Sequence, residues 1–244
     1  MAHRFQFFVD AQLEVGDVAQ LSRDDLHHLA TIRAVVGDIV DVVDTRQLRF
    51  EAELLGDMHN ALVLRPAQAP PGVLTDAVFV HVYVGSLSSG QRWDALVDAC
   101  VQTGADAITP LVQNPRERDA AAKRIERGAR IAKAAAQQAK RLVIPTVNEP
   151  LSYRDLPRSP AGVVLDLNTS DSLMSVDPAR LGASAGVRTI PIVVGGAEGL
   201  PDRLVDDLVS HGWQAATLGP NVLRAGLAAA VATSVVRQLT ALRA

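Results

Sequence analysis

From about residue 77 onward the chain switches repeatedly between two hydrophobic periodicities, and no other feature limits its fold as much. Apolar, β-branched runs such as "AVFVHVYVG" (77–85), "AITPLV" (107–112), "AGVVLDLN" (161–168), "RTIPIVVGG" (188–196) and "WQAATLGP" (213–220) read as strands. Between and after them stand helical patterns: Gln91 to Thr103, a long stretch "RDAAAKRIERGARIAKAAAQQAKR" (118–141), "LPDRLVDDLVSHG" with Gly212 as its C-terminal cap, and a final helix "NVLRAGLAAAVATSVVRQLTAL" (221–242). Strands that alternate with helices predict an α/β domain whose parallel sheet is covered on both faces. In the long helix Ile125, Ala129, Ala132, Ala136 and Ala139 are expected to form the packed face.

The first 70 residues obey a different rule. "RFQFFV", "DIVDVVD", "RFEAELLG" and "ALVLRPA" are short strands separated by turn residues, as in a small β-rich domain. Between the first two, Ser22 stands three residues before Asp25 at the head of "SRDDLHHLATIR", the spacing of a near capping box. The Pro- and Gly-rich "APPGVLTD" (69–76) is the best linker, so we expect a β-rich domain over 1–70 and an α/β domain over 76–244.

Composition excludes several function classes. No apolar run reaches the ~18 residues of a membrane span and no signal peptide opens the chain, so a cytoplasmic protein is expected, with no membrane partner. A single cysteine, Cys100, rules out an internal disulfide framework; in mid-helix it reads as packing. The six histidines lack metal-ligand spacing and no metal is expected. No G-x-S-x-G elbow is present either. The net charge of −3 speaks against nucleic acid, but its distribution does not. Residues 113–145 carry nine basic and three acidic groups, and Lys123, Arg127, Arg130, Gln137 and Arg141 fall on one helical face. Such a stripe is either a solvated face or a phosphate-binding footprint.

Two glycine-bearing turns, "GGAEG" after the 188–194 run and "LGP" after the last strand, stand where open α/β sheets bind ligands, outside the carboxyl ends of the strands. "GGAEG" is neither G-x-G-x-x-G nor a P-loop, so a dinucleotide-binding fold or an NTPase is not expected.

The ordered string V-G-x-x-x-G, followed twenty-four residues on by L-G-P-x-V-L-R at the start of the last helix, resembles the SPOUT methyltransferases. More narrowly, the chain resembles the bacterial 16S rRNA uridine-N3 methyltransferase family along nearly its whole length. "HHLATIRAVVGDIV" is similar to the family's H-x-x-x-V-L-R-x-x-x-G-D signature, one residue short. "SSGQRWDALVDACVQTGADAITPLV" is similar to its helix–strand segment, and "RIAKAAAQQAKRLVIPTV" to its A-A-x-Q-x-x-R-x-x-x-P run, with Gln138, Arg141 and Pro145 in place.

This resemblance implies a small PUA-like barrel domain that binds RNA, ahead of a SPOUT-type parallel-sheet domain with a deep trefoil knot. It implies S-adenosyl-L-methionine as cofactor and N3 of a uridine in 16S rRNA of the small ribosomal subunit as methyl acceptor. The cofactor would be held by Leu165 and Leu167, by Gly195, Gly196, Glu198 and Gly199, and by Leu218, Gly219, Pro220 and Leu223. Arg224 would stabilise charge building on the uracil, with Arg92 as a second catalytic candidate. Arg33, Arg127, Arg130, Gln138 and Arg141 would hold RNA. A homodimer is implied, with the apolar final helix packed across its two-fold axis.

The chain departs from the family at several polar positions. Ala197 stands where the family's G-P-E-G-G has glutamate, with Glu198 one place later. Ala225 and Gly226 replace a threonine and a glutamate, Ala99 and Gln102 a lysine and a glutamate, and Gln113, Asn114 and Pro115 an S-E-R run. The alternatives are a divergent SPOUT protein with weak or no catalysis that serves as an RNA-binding or ribosome-assembly factor, and a methyltransferase of another RNA.

Overall fold

The computed structural model describes residues 4–56, 58–67, 78–87, 89–182 and 188–241, with the side chain of Asp202 left out. They fall into two compact units: Met1–Val73 with Ala136–Val143, and Leu74–Ala135 with Ile144–Ala244. The expected linker at 69–76 lies outside the described residues.

The first unit is built on a five-stranded sheet. Its strands β1 (Gln6–Phe8), β2 (Val18–Gln20), β3 (Ile39–Val43), β4 (Arg49–Leu54) and β5 (Asn60–Pro66) lie in the order β1-β3-β4-β5-β2. The β1–β3 pair is parallel and the others are antiparallel. Phe7, Leu13, Leu29, Val42, Leu54 and Ala61 fill the core. Helix α1 (Arg23–Thr31) starts at Ser22, whose hydroxyl accepts the Asp25 N–H at 3.3 Å while the Asp25 carboxylate accepts the Ser22 N–H at 3.1 Å. The capping box expected from the sequence is therefore formed. Strand β2 was not legible in the sequence; it is three residues long and buries only Ala19.

Ala136–Val143 is fastened to this unit by its own polar groups. Gln137 donates to Asp25 Oδ1 at 2.8 Å, Gln6 donates to the Arg141 carbonyl at 2.6 Å, and Arg49 donates to the Lys140 carbonyl. A boundary at 76 does not anticipate this return of the chain.

The second unit holds β6 (Val78–Gly85), β7 (Ala107–Val112), β8 (Thr146–Val147), β9 (Leu151–Ser152), β10 (Val163–Leu165), β11 (Arg188–Val194) and β12 (Gln214–Ala216). The order is β12-β10-β11-β6-β7-β8, with β9 beside β7, and every pairing is parallel. Helix α2 (Gly90–Gln102) packs on the last helix, α6 (Ala225–Ala241), and α6 also packs on β6 and β11. Tyr83, Leu111, Tyr153, Val164, Val193, Leu204, Leu208 and Trp213 form a second core that includes helix α5 (Asp202–Ser210). Gly212, at φ +88°, follows α5 as expected for a left-handed cap.

Two helices differ from the sequence reading. The long helix is broken into α3 (Pro115–Ala122) and α4 (Ile125–Gln138). Beyond the break a Cβ on Gly128 would meet Trp93 Nε1 at 3.0 Å, so tertiary contact sets the course of α4. Its packed face holds Gly128, Ala132, Ala135 and Ala136, while Ala129 is exposed. The final helix begins at Ala225 rather than near 221, because 221–224 belong to the turn beside the cleft described below.

The amino edge of the parallel sheet is closed by one side chain. Arg237 of α6 donates to the Gly104 carbonyl at 2.9 and 2.7 Å, to the Val78 carbonyl at 2.6 Å, and to the Asp106 carboxylate. Within the sheet, His81 Nε2 lies 2.7 Å from Thr109 Oγ1 and 3.3 Å from Asn148 Nδ2, and its ring stacks on Tyr83 at 4.0 Å. Burial lowers the His81 pKa to about 4, so the imidazole is neutral near pH 7. Burial also raises the Cys100 thiol to about 12, which fits packing rather than reactivity.

Candidate functional site

The carboxyl edge of the same sheet is open. A cleft of about 910 Å³ lies there, lined from the loops that follow β10, β11 and β12, from the start of α6, and from α2. The loop after β10 is laced to the one after β12. Asp166 N–H donates to the Ala216 carbonyl at 3.0 Å, Thr217 N–H to the Asp171 carbonyl at 2.8 Å, and Leu173 N–H to the Thr217 carbonyl at 2.9 Å. These bonds pair backbone groups of the two loops with one another and give the loops a fixed spacing.

The turn after β11 is shaped by backbone contact. A Cβ on Gly196 would come 2.5 Å from the Ser86 carbonyl oxygen, and one on Gly85 would come 2.3 Å from the Gly196 nitrogen. Gly195 presses on Gly199, where a Cβ would fall 2.8 Å from the carbonyl carbon. Gly199 and Gly219 are glycine for another reason: their φ values are +79° and +113°, and a Cβ on either would meet nothing within 4 Å. The Thr217 hydroxyl donates to the Gly219 carbonyl at 3.2 Å and steadies the second turn.

Of the expected cofactor residues, Leu165, Leu167, Gly195, Gly196, Glu198, Gly199, Leu218 and Leu223 all line this one cleft. Gly219 and Pro220 belong to the same turn but are not among its lining residues. Arg224 and Arg92 line it too, brought together from α2 and the approach to α6. Ala99, Ala197, Ala225 and Gly226 are also in the wall, so the positions where polar residues are absent do face the cleft. Sequence reasoning missed Thr217 and Asn221, and it expected "LDLN" (165–168) as one wall of the site without giving Asp166 or Asn168 a role; all four add polar groups to the lining. Neither Thr217 nor Asn221 carries a motif. Burial, with Glu117 and Glu198 adding negative charge, raises Tyr153 to about 12. A Cβ on Gly85 would lie 2.4 Å from the Tyr153 hydroxyl, so that hydroxyl stands beside the glycine on which Gly196 packs.

The basic stripe does not stay on one body. Arg127 and Arg130 belong to the larger unit, Gln138 and Arg141 to the smaller. Arg127 is paired with Asp94 at 2.8 Å, while Arg130 and Gln138 are exposed. Arg33, in the smaller unit, adopts φ +57° after α1. Among the described residues no group of three or more His, Cys, Asp or Glu is placed to hold a metal ion.

A parallel sheet whose strand ends open into a large glycine-bordered cleft defines a protein built to bind a small molecule there. The comparisons narrow that class. A family model described as RNA methyltransferase domain matches residues 76–237, and the chain belongs to that family. It is 29% identical over 255 residues to the ribosomal RNA small subunit methyltransferase E of Mycobacterium bovis, covering 96% of this chain and 91% of the relative. To the protein of that name from Synechocystis sp. it is 25% identical over 228 residues, covering 90% of this chain and 72% of the relative. The crystal structure of ribosomal RNA small subunit methyltransferase E from Neisseria gonorrhoeae, bound to S-adenosyl methionine, matches with a TM-score of 0.77 at 24% identity. That match covers 97% of this chain and 98% of the other, and it speaks for the fold.

Proposed function

We propose that this chain uses S-adenosyl-L-methionine to methylate N3 of a uridine in 16S rRNA of the small ribosomal subunit. The observation that carries the reading is the gathering of eight expected cofactor residues and both candidate arginines around one cleft at the sheet's carboxyl edge. The names of the relatives, and the cofactor in the Neisseria structure, support it from outside the chain.

The cleft fits the cofactor by size and by chemistry. Its volume lies within the range of small-molecule sites, and its glycine turns bring backbone amides and carbonyls to the surface. Leu165, Leu167, Leu218 and Leu223 would hold the adenosine, and Glu198 the amino end. When bound, the cofactor supplies a methyl group activated on a sulfonium. The chain's own task is to hold the acceptor in line and keep water out. Loss of the N3 proton spreads negative charge over O2 and O4 of the uracil. Guanidinium groups only donate, so Arg224 and Arg92 stabilise that charge and do not take the proton. Asp166 and Glu198 are the carboxylates in the lining able to accept it.

The same reading covers the finer architecture. A trefoil knot is supported by α6, which meets the short turns Leu173–Ser175 and Pro178–Arg180 as well as β6 and β11. The five-stranded sheet of the first unit would be a PUA-like barrel that holds flanking RNA through Arg33, with Arg127, Arg130, Gln138 and Arg141 adding phosphate contacts. A homodimer is supported by exposed apolar side chains at the cleft, Val222 at 77%, Leu167 at 67% and Leu227 at 56%. Among the described residues no helix is long and apolar enough to cross a membrane, and we assign the protein to the cytoplasm with its RNA.

The test pairs calorimetry with methyl transfer. S-adenosyl-L-methionine should bind at one site per subunit, and Arg224→Ala should lower kcat on the order of 100-fold while changing cofactor affinity little. Unchanged transfer by Arg224→Ala would remove its catalytic role, and no cofactor binding by the parent would overturn the reading.

A further inference from the structure

A second, smaller cavity of about 200 Å³ lies outside the carboxyl ends of β6 and β7. Leu87 lines both this cavity and the large cleft, so the two are neighbours along one edge of the sheet. Trp93 and Pro110 are among its walls, and Ala121, Arg116 and Arg124 line it as well. None of these residues was assigned above to cofactor or RNA.

The cavity persists because α3 does not fill it. Helix α3 buries none of its residues, and the residues it offers to the cavity, beyond Arg116 and Glu117, are alanines. Protein interiors otherwise close such gaps, since empty apolar space forfeits dispersion contacts. The charged groups that line it divide into two kinds. The Glu117 carboxylate is engaged locally, with one oxygen accepting the Gln113 N–H at 2.9 Å and the other the Asn114 amide at 2.7 Å. Arg124 makes one 3.2 Å bond to the Leu87 carbonyl, and Arg116 is exposed. Flat apolar walls of Trp, Pro and Ala, with guanidinium groups beside them, match a planar base that carries a phosphate.

The geometry points to a nucleobase pocket: the cavity takes one unstacked base of the RNA substrate between Ala121 and Pro110, against the Trp93 edge, with its phosphate at Arg116 and Arg124. The volume suits a single ring system and excludes a stacked pair. This rests on the RNA-methyltransferase reading and adds a subsite to it, since a base held here would enter beside the site of methyl transfer.

Two substitutions test the pocket. Ala121→Leu fills it with a good helix former, and Arg116→Gln removes a guanidinium from an exposed position. Affinity for a fluorescein-labelled uridine-containing oligoribonucleotide should fall on the order of tenfold in Ala121→Leu and severalfold in Arg116→Gln. Calorimetric S-adenosyl-L-methionine binding, which also reports that the variant is folded, should match the parent in both. Parental RNA affinity in the filled variant, or a parent that binds no RNA, overturns the pocket. A parent that binds RNA but not the cofactor overturns the large-cleft reading instead, and the oligoribonucleotide result still decides the pocket.

Discussion

The two edges of the parallel sheet are finished in opposite ways. At the amino edge one guanidinium, Arg237, takes up the carbonyls of Gly104 and Val78 and the carboxylate of Asp106, so polar groups are consumed by one another. At the carboxyl edge the chain closes its loops largely with backbone, through Gly85 against Gly196 and the hydrogen bonds around Thr217, and leaves a cleft. The first arrangement fixes the fold and offers nothing to a ligand. The second is bordered by glycine turns and lined by Arg92 and Arg224, and it leaves room for one. A glycine at this edge therefore means one of two things: backbone is pressed on backbone, as at Gly196, or the chain turns through positive φ beside open space, as at Gly219.

Substitutions at the two edges should therefore act differently on stability and on cofactor binding. Arg237→Met takes the guanidinium away from two carbonyls and from the Asp106 carboxylate, which keeps the Val80 N–H at 2.7 Å, and urea unfolding should show a loss of about 3–5 kcal/mol. Cofactor affinity of the fraction still folded should be unchanged, because the cleft lies at the other edge. Gly196→Ala should cost about 3 kcal/mol of stability, read as a fall in Tm, and should abolish cofactor binding, since its Cβ has nowhere to go. A stable Gly196→Ala variant would show that the turn yields more easily than its contacts imply.

Between the edges, His81 makes stability depend on pH. Its pKa is lowered by burial from 6.5 in the unfolded chain to about 4, so the unfolded state binds the proton more readily. Stability should be complete above about pH 6.5 and fall by roughly 2–3 kcal/mol as pH drops through that window toward 4. Replacement by phenylalanine should flatten that segment of the pH profile; an unchanged slope would assign it to other groups. The smallest effect belongs to Gly219→Ala, which adds strain at φ +113° but no clash. It should cost about 1–2 kcal/mol of stability and weaken cofactor binding without abolishing it. Equal damage from Gly196→Ala and Gly219→Ala would erase the distinction between the two kinds of glycine.

Local signals carried well from sequence to structure. The Ser22 and Asp25 capping box needs only a three-residue spacing, and the apolar runs at 78–85, 107–112 and 188–194 became strands because they are buried from both faces. The break between α3 and α4 was not legible, because alanines and charges continue the helical period straight through Lys123 and Arg124. What shapes α4 beyond it is Trp93 beside Gly128, thirty-five positions away in the chain. The site followed the same rule. "GGAEG" and "LGP" announce strand ends, but that Gly196 meets Gly85 while Gly219 faces open space is decided by contacts far apart in sequence. Likewise the charge of Arg127 could be counted, but its partner Asp94 could not be foreseen.

We read the open edge as a methyl-transfer site for a uridine in small-subunit RNA. Its most direct test is nucleoside mass analysis of 16S rRNA from cells lacking this gene, before and after incubation of the RNA or its subunit with purified protein and S-adenosyl-L-methionine. 3-Methyluridine should be missing at first and be restored by the protein, but not by Arg224→Ala. A full level of 3-methyluridine without the gene, or restoration of a different methylated nucleoside, would contradict it.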